Sequence, residues 1–148
     1  MELVTRIEID TPPERVWAVW ADPVRWPEWT ASVTRIEALD GELRLGARFR
    51  IVQPKLPVVV WEVTALEPGA SWAWTARSPG VVTVGEHRVR AASAGAVADA
   101  RLVQEGWIGE IVGRLYRGLS LRYLALESEG LKRRSEADHA SGLPTNSA

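Results

Sequence analysis

The chain has 148 residues, a length that suits one domain and buries roughly 70% of its unfolded surface without help from disulfides or metal. It contains no cysteine, which excludes thiol catalysis, disulfides and every cysteine-based zinc or iron–sulfur site. Its 18 basic against 19 acidic residues leave a net charge of −1, which argues against nucleic acid as a partner.

Apolar residues make up 46% of the chain, and no run approaches the ~18 needed for a membrane span. The opening residues lack the basic-then-apolar layout of a secretion signal. The expectation is therefore a cytoplasmic protein, monomer or homodimer, with no stable membrane insertion. Eight of the aromatic residues are Trp, beside Phe49, Tyr116 and Tyr123, and indoles supply rigid flat walls with one N–H donor each.

Residues 2–10 alternate, with Leu3, Thr5, Ile7 and Ile9 on one face, as in a half-buried strand. Thr11-Pro12-Pro13-Glu14 reads as a capping box with prolines in the first helical turn. The helix it opens carries Val16, Trp17, Val19 and Trp20 at helical spacing, with Trp17 expected on the buried face. Pro23 should stop it near Asp22. A tight turn or short helix follows over 22–30, with Trp26 and Trp29 three apart.

The period then switches to two, predicting strands near 31–39, 45–53, 57–66, 71–78, 81–91 and 96–104. Glycine- and proline-bearing breaks between them are short, so consecutive strands should pair as an antiparallel meander. The last element, 107–133, has apolar residues at 108, 111, 112, 115, 116, 119, 123 and 126. Glu110, Arg114, Arg117, Arg122 and Glu127 fall between them, which reads as one long amphipathic helix. Gly109, Gly113, Gly118 and Gly130 weaken it by roughly 1 kcal/mol each relative to Ala and suggest close approach to the sheet. Residues 135–148 are polar and patternless, and are expected to form a disordered tail behind a single domain of residues 1–134.

Several stretches carry a family resemblance: IEIDTPPERVWAVWADPVRWPEWTASV, GARFRIVQPKLP, VWEVTALEPG, WTARSPG with GEHRV, and GRLYRGL with LESEGLK. In these the chain resembles the polyketide cyclase/dehydrase-type members of the START/Bet v-like (SRPBCC) superfamily. The resemblance implies an α+β helix-grip fold: a curved, seven-stranded antiparallel sheet wrapped around a long C-terminal helix, with two short helices after the first strand. It also implies a deep cavity for a hydrophobic molecule. Members include lipid carriers, hormone receptors and aromatase/cyclases.

Alternation assigns the strand faces. Trp72, Trp74, Ala76 and Ser78 share the inward face of one strand. Phe49, Ile51 and Gln53, Trp61 and Val63, Thr83, Gly85, His87 and Val89, and Ala98, Ala100, Leu102 and Gln104 do so on the others. Small residues amid large flat ones leave volume that a helix need not fill, and a pocket needs an apolar wall with a few placed polar groups. The candidate ligand contacts are Trp29, Phe49, Trp61, Trp72, Trp74, His87, Gln104, Tyr116, Leu119 and Tyr123, with Gln53 and Ser78 as further polar groups. Each has a plainer explanation as core packing or a local hydrogen bond. The rows Arg48/Arg50 and Arg88/Arg90, near Glu62 and Glu86, read as solvated cross-strand charge pairing.

Only His87 and His139 are available as histidines, no metal motif is present, and no P-loop, GxGxxG, GxSxG or HExxH occurs, so neither metal nor cofactor is expected. The leading functional reading is binding of a small hydrophobic ligand (lipid, polycyclic or polyketide-like). A second is a cofactor-independent cyclase/dehydratase in which His87 or a tyrosine moves a proton at an activated methylene and Gln104 bonds the enolate oxygen. A third is an interaction or stress-response module with a filled core.

Overall fold

The computed structural model describes residues 1–140. In chain order its elements are β1 (Glu2–Ile9), α1 (Pro13–Trp20), a 3₁₀ helix (Pro23–Glu28), β2 (Arg35–Ala38), β3 (Arg48–Val52), β4 (Val59–Glu67), β5 (Ser71–Ser78), β6 (Val81–Ala92), β7 (Gly95–Glu105) and α2 (Gly109–Ala140). Strands β2 to β7 pair consecutively and antiparallel, as short turns between period-two segments require. β1 pairs with β7, so the sheet runs β1-β7-β6-β5-β4-β3-β2 and stays open, with α1 and the 3₁₀ helix carrying the chain from one edge to the other. Helix α2 packs over β1, β7 and α1, completing the α+β helix-grip arrangement. At the β6–β7 turn only glycine fits. Gly95 has φ +149°, and a Cβ there would lie 2.4 Å from the Ile9 carbonyl oxygen at the end of β1.

The inward faces follow the alternation. Phe49 and Ile51 are buried between exposed Arg48 and Arg50, and Val63, Trp72, Trp74, His87, Val89, Ala98 and Ala100 are buried on the neighbouring strands. A bulge between Val63 and Ala65 shifts the register of β4 against β5. The arginine rows lie on the solvated face, but their partners differ from the expected ones. Arg48 bonds Asp40 at 2.9 Å and Arg50 bonds Glu37 at 2.9 Å, both on the β2 side.

Three sequence expectations need correction. The capping box does not form: the helix begins at Pro13 with Pro12 at the cap, no side chain caps it, and the Thr11 hydroxyl is buried without a partner. Proline at two successive positions fixes φ there and sets the start one residue later than a threonine cap requires. Trp17 is half-buried, while Val16 and Trp20 form the buried face of α1. Finally, α2 continues through 135–140, where a tail was expected. Ser135 is fully buried, Lys132 pairs with Glu136 one turn on, and the Glu136 carboxylate accepts the Asp10 N–H at 2.9 Å. Residues 141–148 lie outside the described residues.

The two halves of α2 are held differently. The C-terminal half buries Leu124, Ser128, Gly130, Leu131 and Ser135, and is pinned by Ser128 to Thr5 at 3.0 Å and by Arg134 to Glu28 at 3.0 Å. The N-terminal half buries Gly109, Gly113 and Tyr123 and leaves its other side chains half or fully exposed. Gly118 sits in that half with open space where a Cβ would go. Gly118→Ala should therefore stabilise the protein by about 1 kcal/mol through helix propensity alone, read as a higher urea midpoint at unchanged slope. A lower midpoint would mean that this turn is not helical in solution.

Candidate functional site

Between the N-terminal half of α2 and the concave face of the sheet lies a cavity of about 220 Å³. Its apolar wall comes from Trp26, Trp61 and Trp74 together with Ile51, Ala76 and Leu124. Small residues make the room, as their positions in the strands imply: Ala76, Gly85 and Ala100 all border it. Gly85 has a second role. A Cβ there would come within 2.9 Å of the Trp74 indole nitrogen, so the absence of a side chain makes room for that ring beside β6. On the helix side the wall is Tyr116, Ser120, Tyr123 and Glu127, and the β3–β4 loop borders it with Leu56 and Pro57. The Tyr123 hydroxyl donates to the Pro54 carbonyl, tying that loop to α2.

Six of the ten sequence candidates border this space: Trp61, Trp74, His87, Gln104, Tyr116 and Tyr123. Gln53 and Ser78 do so too, although the Gln53 amide is engaged in donating to the Ser32 carbonyl at 3.2 Å. The other four stand elsewhere. Trp29 packs against Trp26, with ring centroids 5.4 Å apart, under the C-terminal half of α2. Phe49 is buried beside Trp74, and Leu119 is not among the lining residues. Trp72 is covered by His87, which stacks on it at 4.0 Å with 21° between the planes, so the indole lies behind the wall.

His87 sits in a box of indoles. Trp72 stacks on one face, while Trp20, Trp26 and Trp74 approach edge-on at 5.0, 5.5 and 5.6 Å. Its Nδ1 lies 3.3 Å from the Trp72 carbonyl oxygen. A carbonyl only accepts, so Nδ1 carries the proton and Nε2 presents a lone pair. Burial among these rings pushes the imidazole down to about 3, and the Trp72 carbonyl only partly offsets it. The ring is neutral across the physiological range.

The lone pair of Nε2 points toward Glu127, a residue that the amphipathic pattern of α2 places on the solvent face. Glu127 Oε1 lies 3.6 Å from His87 Nε2 and accepts the Trp20 indole N–H at 2.9 Å. Burial pushes this carboxyl up to about 7, with the Trp20 bond opposing. A neutral base and a carboxyl that holds its proton near neutrality thus face one another on the cavity wall. The signal was present in the helix register. Tyr116, Ser120, Tyr123 and Glu127 are spaced by three and four, so they share one face. The remaining polar group is Gln104, whose Oε1 is buried without a hydrogen-bond partner at the β7 side of the cavity. Among the described residues no three of His, Asp and Glu gather as metal ligands would, and no helix is long and apolar enough to cross a membrane.

The family model for polyketide cyclase/dehydrase and lipid transport proteins matches residues 1–136. The chain belongs to that family. No curated protein is similar to this cyclase/dehydrase-family chain in sequence. Solved structures similar in fold include an aromatase/cyclase of a Streptomyces species, ZhuI. It is 17% identical with a TM-score of 0.71, over 96% of this chain and 98% of that one. A Thermus thermophilus protein is 19% identical with a TM-score of 0.74, over 93% and 98% of the two chains. The di-domain aromatase/cyclase StfQ of the steffimycin pathway is 13% identical with a TM-score of 0.74; the match takes in 96% of this chain and 52% of StfQ. At these identities the likeness is one of fold.

Proposed function

We propose that this cyclase/dehydrase-family protein binds one small, largely apolar molecule bearing a hydrogen-bond donor in the cavity between sheet and α2. The observation that carries this reading is the indole-walled cavity of about 220 Å³ with the unpartnered Gln104 Oε1 on its border. An apolar cavity of about 150 Å³ holds a benzene ring, and pockets for larger ligands start near 300 Å³. One or two rings, or a short acyl chain, fit that range. A longer polyketide or lipid would need the β3–β4 loop to part from α2 at Tyr123. The buried acceptor Gln104 Oε1 calls for a hydroxyl or N–H on the ligand, since a buried acceptor left unmatched costs about 1–3 kcal/mol. Cytoplasmic residence as a monomer or homodimer belongs to the same reading.

The experiment is native mass spectrometry of freshly purified protein with organic extraction, followed by titration with 1-naphthol and naphthalene. The phenol should bind about tenfold more tightly than the hydrocarbon, and Gln104→Leu should erase that preference. Equal affinities in the parent protein would remove Gln104 from the site, and no binding of either probe with no co-purified adduct would remove the reading.

The His87–Glu127 pair favours a second reading, cofactor-independent cyclisation or dehydration. The Glu127 carboxylate, its carboxyl raised to about 7, would take a proton from an activated methylene and, as the carboxyl, return it to the departing hydroxyl. Water leaves and the group ends as it began, with neutral His87 beside it fixing its orientation. In that case Glu127→Gln abolishes turnover while probe binding persists.

A further inference from the structure

The N-terminal half of α2 exposes large apolar side chains on the face turned away from the cavity. Trp107, Ile111 and Leu115 follow one another at four-residue spacing and are 81%, 68% and 74% exposed. Ile111 and Leu115, four apart on the helix, are neighbours, and Trp107 stands in the turn that leads into it. The apolar pattern of the sequence puts Ile111 and Leu115 in the core, and the structure turns them out. Gly109 and Gly113 take the inward positions, with Gly113 receiving the Met1 side chain. Isolated exposed apolar residues are ordinary on soluble proteins, whereas a contiguous row that includes a tryptophan marks a contact surface.

Charge selects the partner. From residue 111 to residue 126 the helix carries Arg114, Arg117 and Arg122 and no acidic residue, and all three are exposed. Among the described residues none of the three has an ion-pair partner. The one acidic residue nearby in α2, Glu110, is engaged by the N-terminal ammonium at 3.4 Å. A second copy of the chain placed on this stripe by a two-fold axis would bring arginine against arginine, so self-association is disfavoured. An apolar row flanked by unpaired arginines, with an indole at its end, is complementary to the boundary between acyl chains and anionic headgroups.

A second exposed group extends the surface. Val58 on the β3–β4 loop is 57% exposed, and its neighbours Pro57 and Val59 line the cavity. That loop meets α2 further along the helix, at Tyr123, so the exposed apolar groups lie on two segments that both belong to the α2 side of the molecule. We infer that the outer face of the N-terminal half of α2, with the loop at Val58, docks reversibly on an anionic phospholipid surface. Docking does not depend on what the cavity holds, so it is testable apart from ligand binding.

The test is co-sedimentation of the full chain with phosphatidylcholine vesicles, with and without about 30% phosphatidylserine, at about 50 mM and about 500 mM salt. The expected result is binding to the anionic vesicles only, falling steeply at the higher salt. Ile111→Ser with Leu115→Ser, and separately Arg114→Gln with Arg117→Gln, should each weaken binding by at least about tenfold. None of these side chains lines the cavity, and far-ultraviolet circular dichroism with the urea midpoint checks that the variants are folded. The proposal is overturned by parent-like vesicle binding in both double variants. It is equally overturned if the parent ignores anionic vesicles, and a concentration-dependent dimer that the Ile111/Leu115 variant dissolves would then reassign the stripe to contact between copies of the chain.

Discussion

Glu127→Gln should raise the stability of the protein by about 3 kcal/mol above pH 7 and leave it unchanged below pH 4.5. The carboxyl titrates near its ordinary 4.5 in the unfolded chain and at about 7 in the folded one. Below 4.5 both states hold the proton, and the group's full contribution to stability is present. As pH rises from 4.5 through 7 the unfolded chain gives up its proton readily while the folded chain must bury a carboxylate, so stability is lost. The interval multiplied by about 1.36 kcal/mol per unit gives the figure of about 3 kcal/mol. Glutamine keeps the oxygen that accepts the Trp20 N–H and cannot ionise. The difference between variant and parent should therefore open between pH 4.5 and 7 and then stay constant. His87 works in the opposite direction: with its folded value lowered to about 3, its contribution is present above 6.5 and is lost as pH falls toward 3. It is common to both proteins and drops out of the comparison. Urea unfolding at pH 4.5, 7 and 9 measures the effect. A variant less stable than the parent at every pH would mean that His87 takes a proton and holds Glu127 as an ion pair, which would also lower the carboxyl and weaken it as the base of the proposed proton transfer.

The fate of Glu127 shows where sequence reading succeeds and where it stops. Strand period is a short-range property, and the turn glycines and prolines between strands are local too. β5 was therefore legible to the residue, and the meander order followed from loop lengths. Pairing of β1 with β7 joins the two ends of the chain, and in the sequence it was carried by the family resemblance alone. Helix α2 was harder because its N-terminal half is apolar on more than one side. Apolarity alone points Ile111 and Leu115 inward and Glu127 outward. The structure does the reverse, because the inward series runs through small and aromatic positions: Gly109, Gly113, Tyr116, Ser120, Tyr123 and Glu127. A charged residue is read as solvated by default, and in this cavity the indole N–H of Trp20 and the neighbouring imidazole make burial tolerable. The aromatic candidates divided for a similar reason. Alternation says which way a side chain leaves the sheet, but not which of two inward indoles lies in front, and His87 stacking on Trp72 decided that.

Gly130→Ala should destabilise the protein by about 3 kcal/mol, at the upper end of ordinary overpacking, although alanine is the better helix former by about 1 kcal/mol. A Cβ at this position would lie 2.1 Å from the Trp29 carbonyl oxygen and 3.1 Å from the Trp29 ring. The first contact is with backbone, which cannot rotate away. Either α2 lifts off the segment after the 3₁₀ helix or that segment moves, and both routes disturb packing around Trp26, which touches Trp29, Trp74 and His87. The site would feel the change through the indole box, so the near-ultraviolet circular dichroism of the variant should alter along with an unfolding midpoint lower by about 10 °C. Gly118→Ala is the matched control, one helix and three turns away with nothing in reach of the added methyl. If both substitutions stabilise alike, helix propensity alone governs these glycines, and α2 does not rest on Trp29 at the distance described. If Gly130 is intolerant while Gly118 is permissive, the C-terminal half of α2 is clamped to the 3₁₀ segment, and opening of the cavity falls to the contact between the β3–β4 loop and α2 at Tyr123.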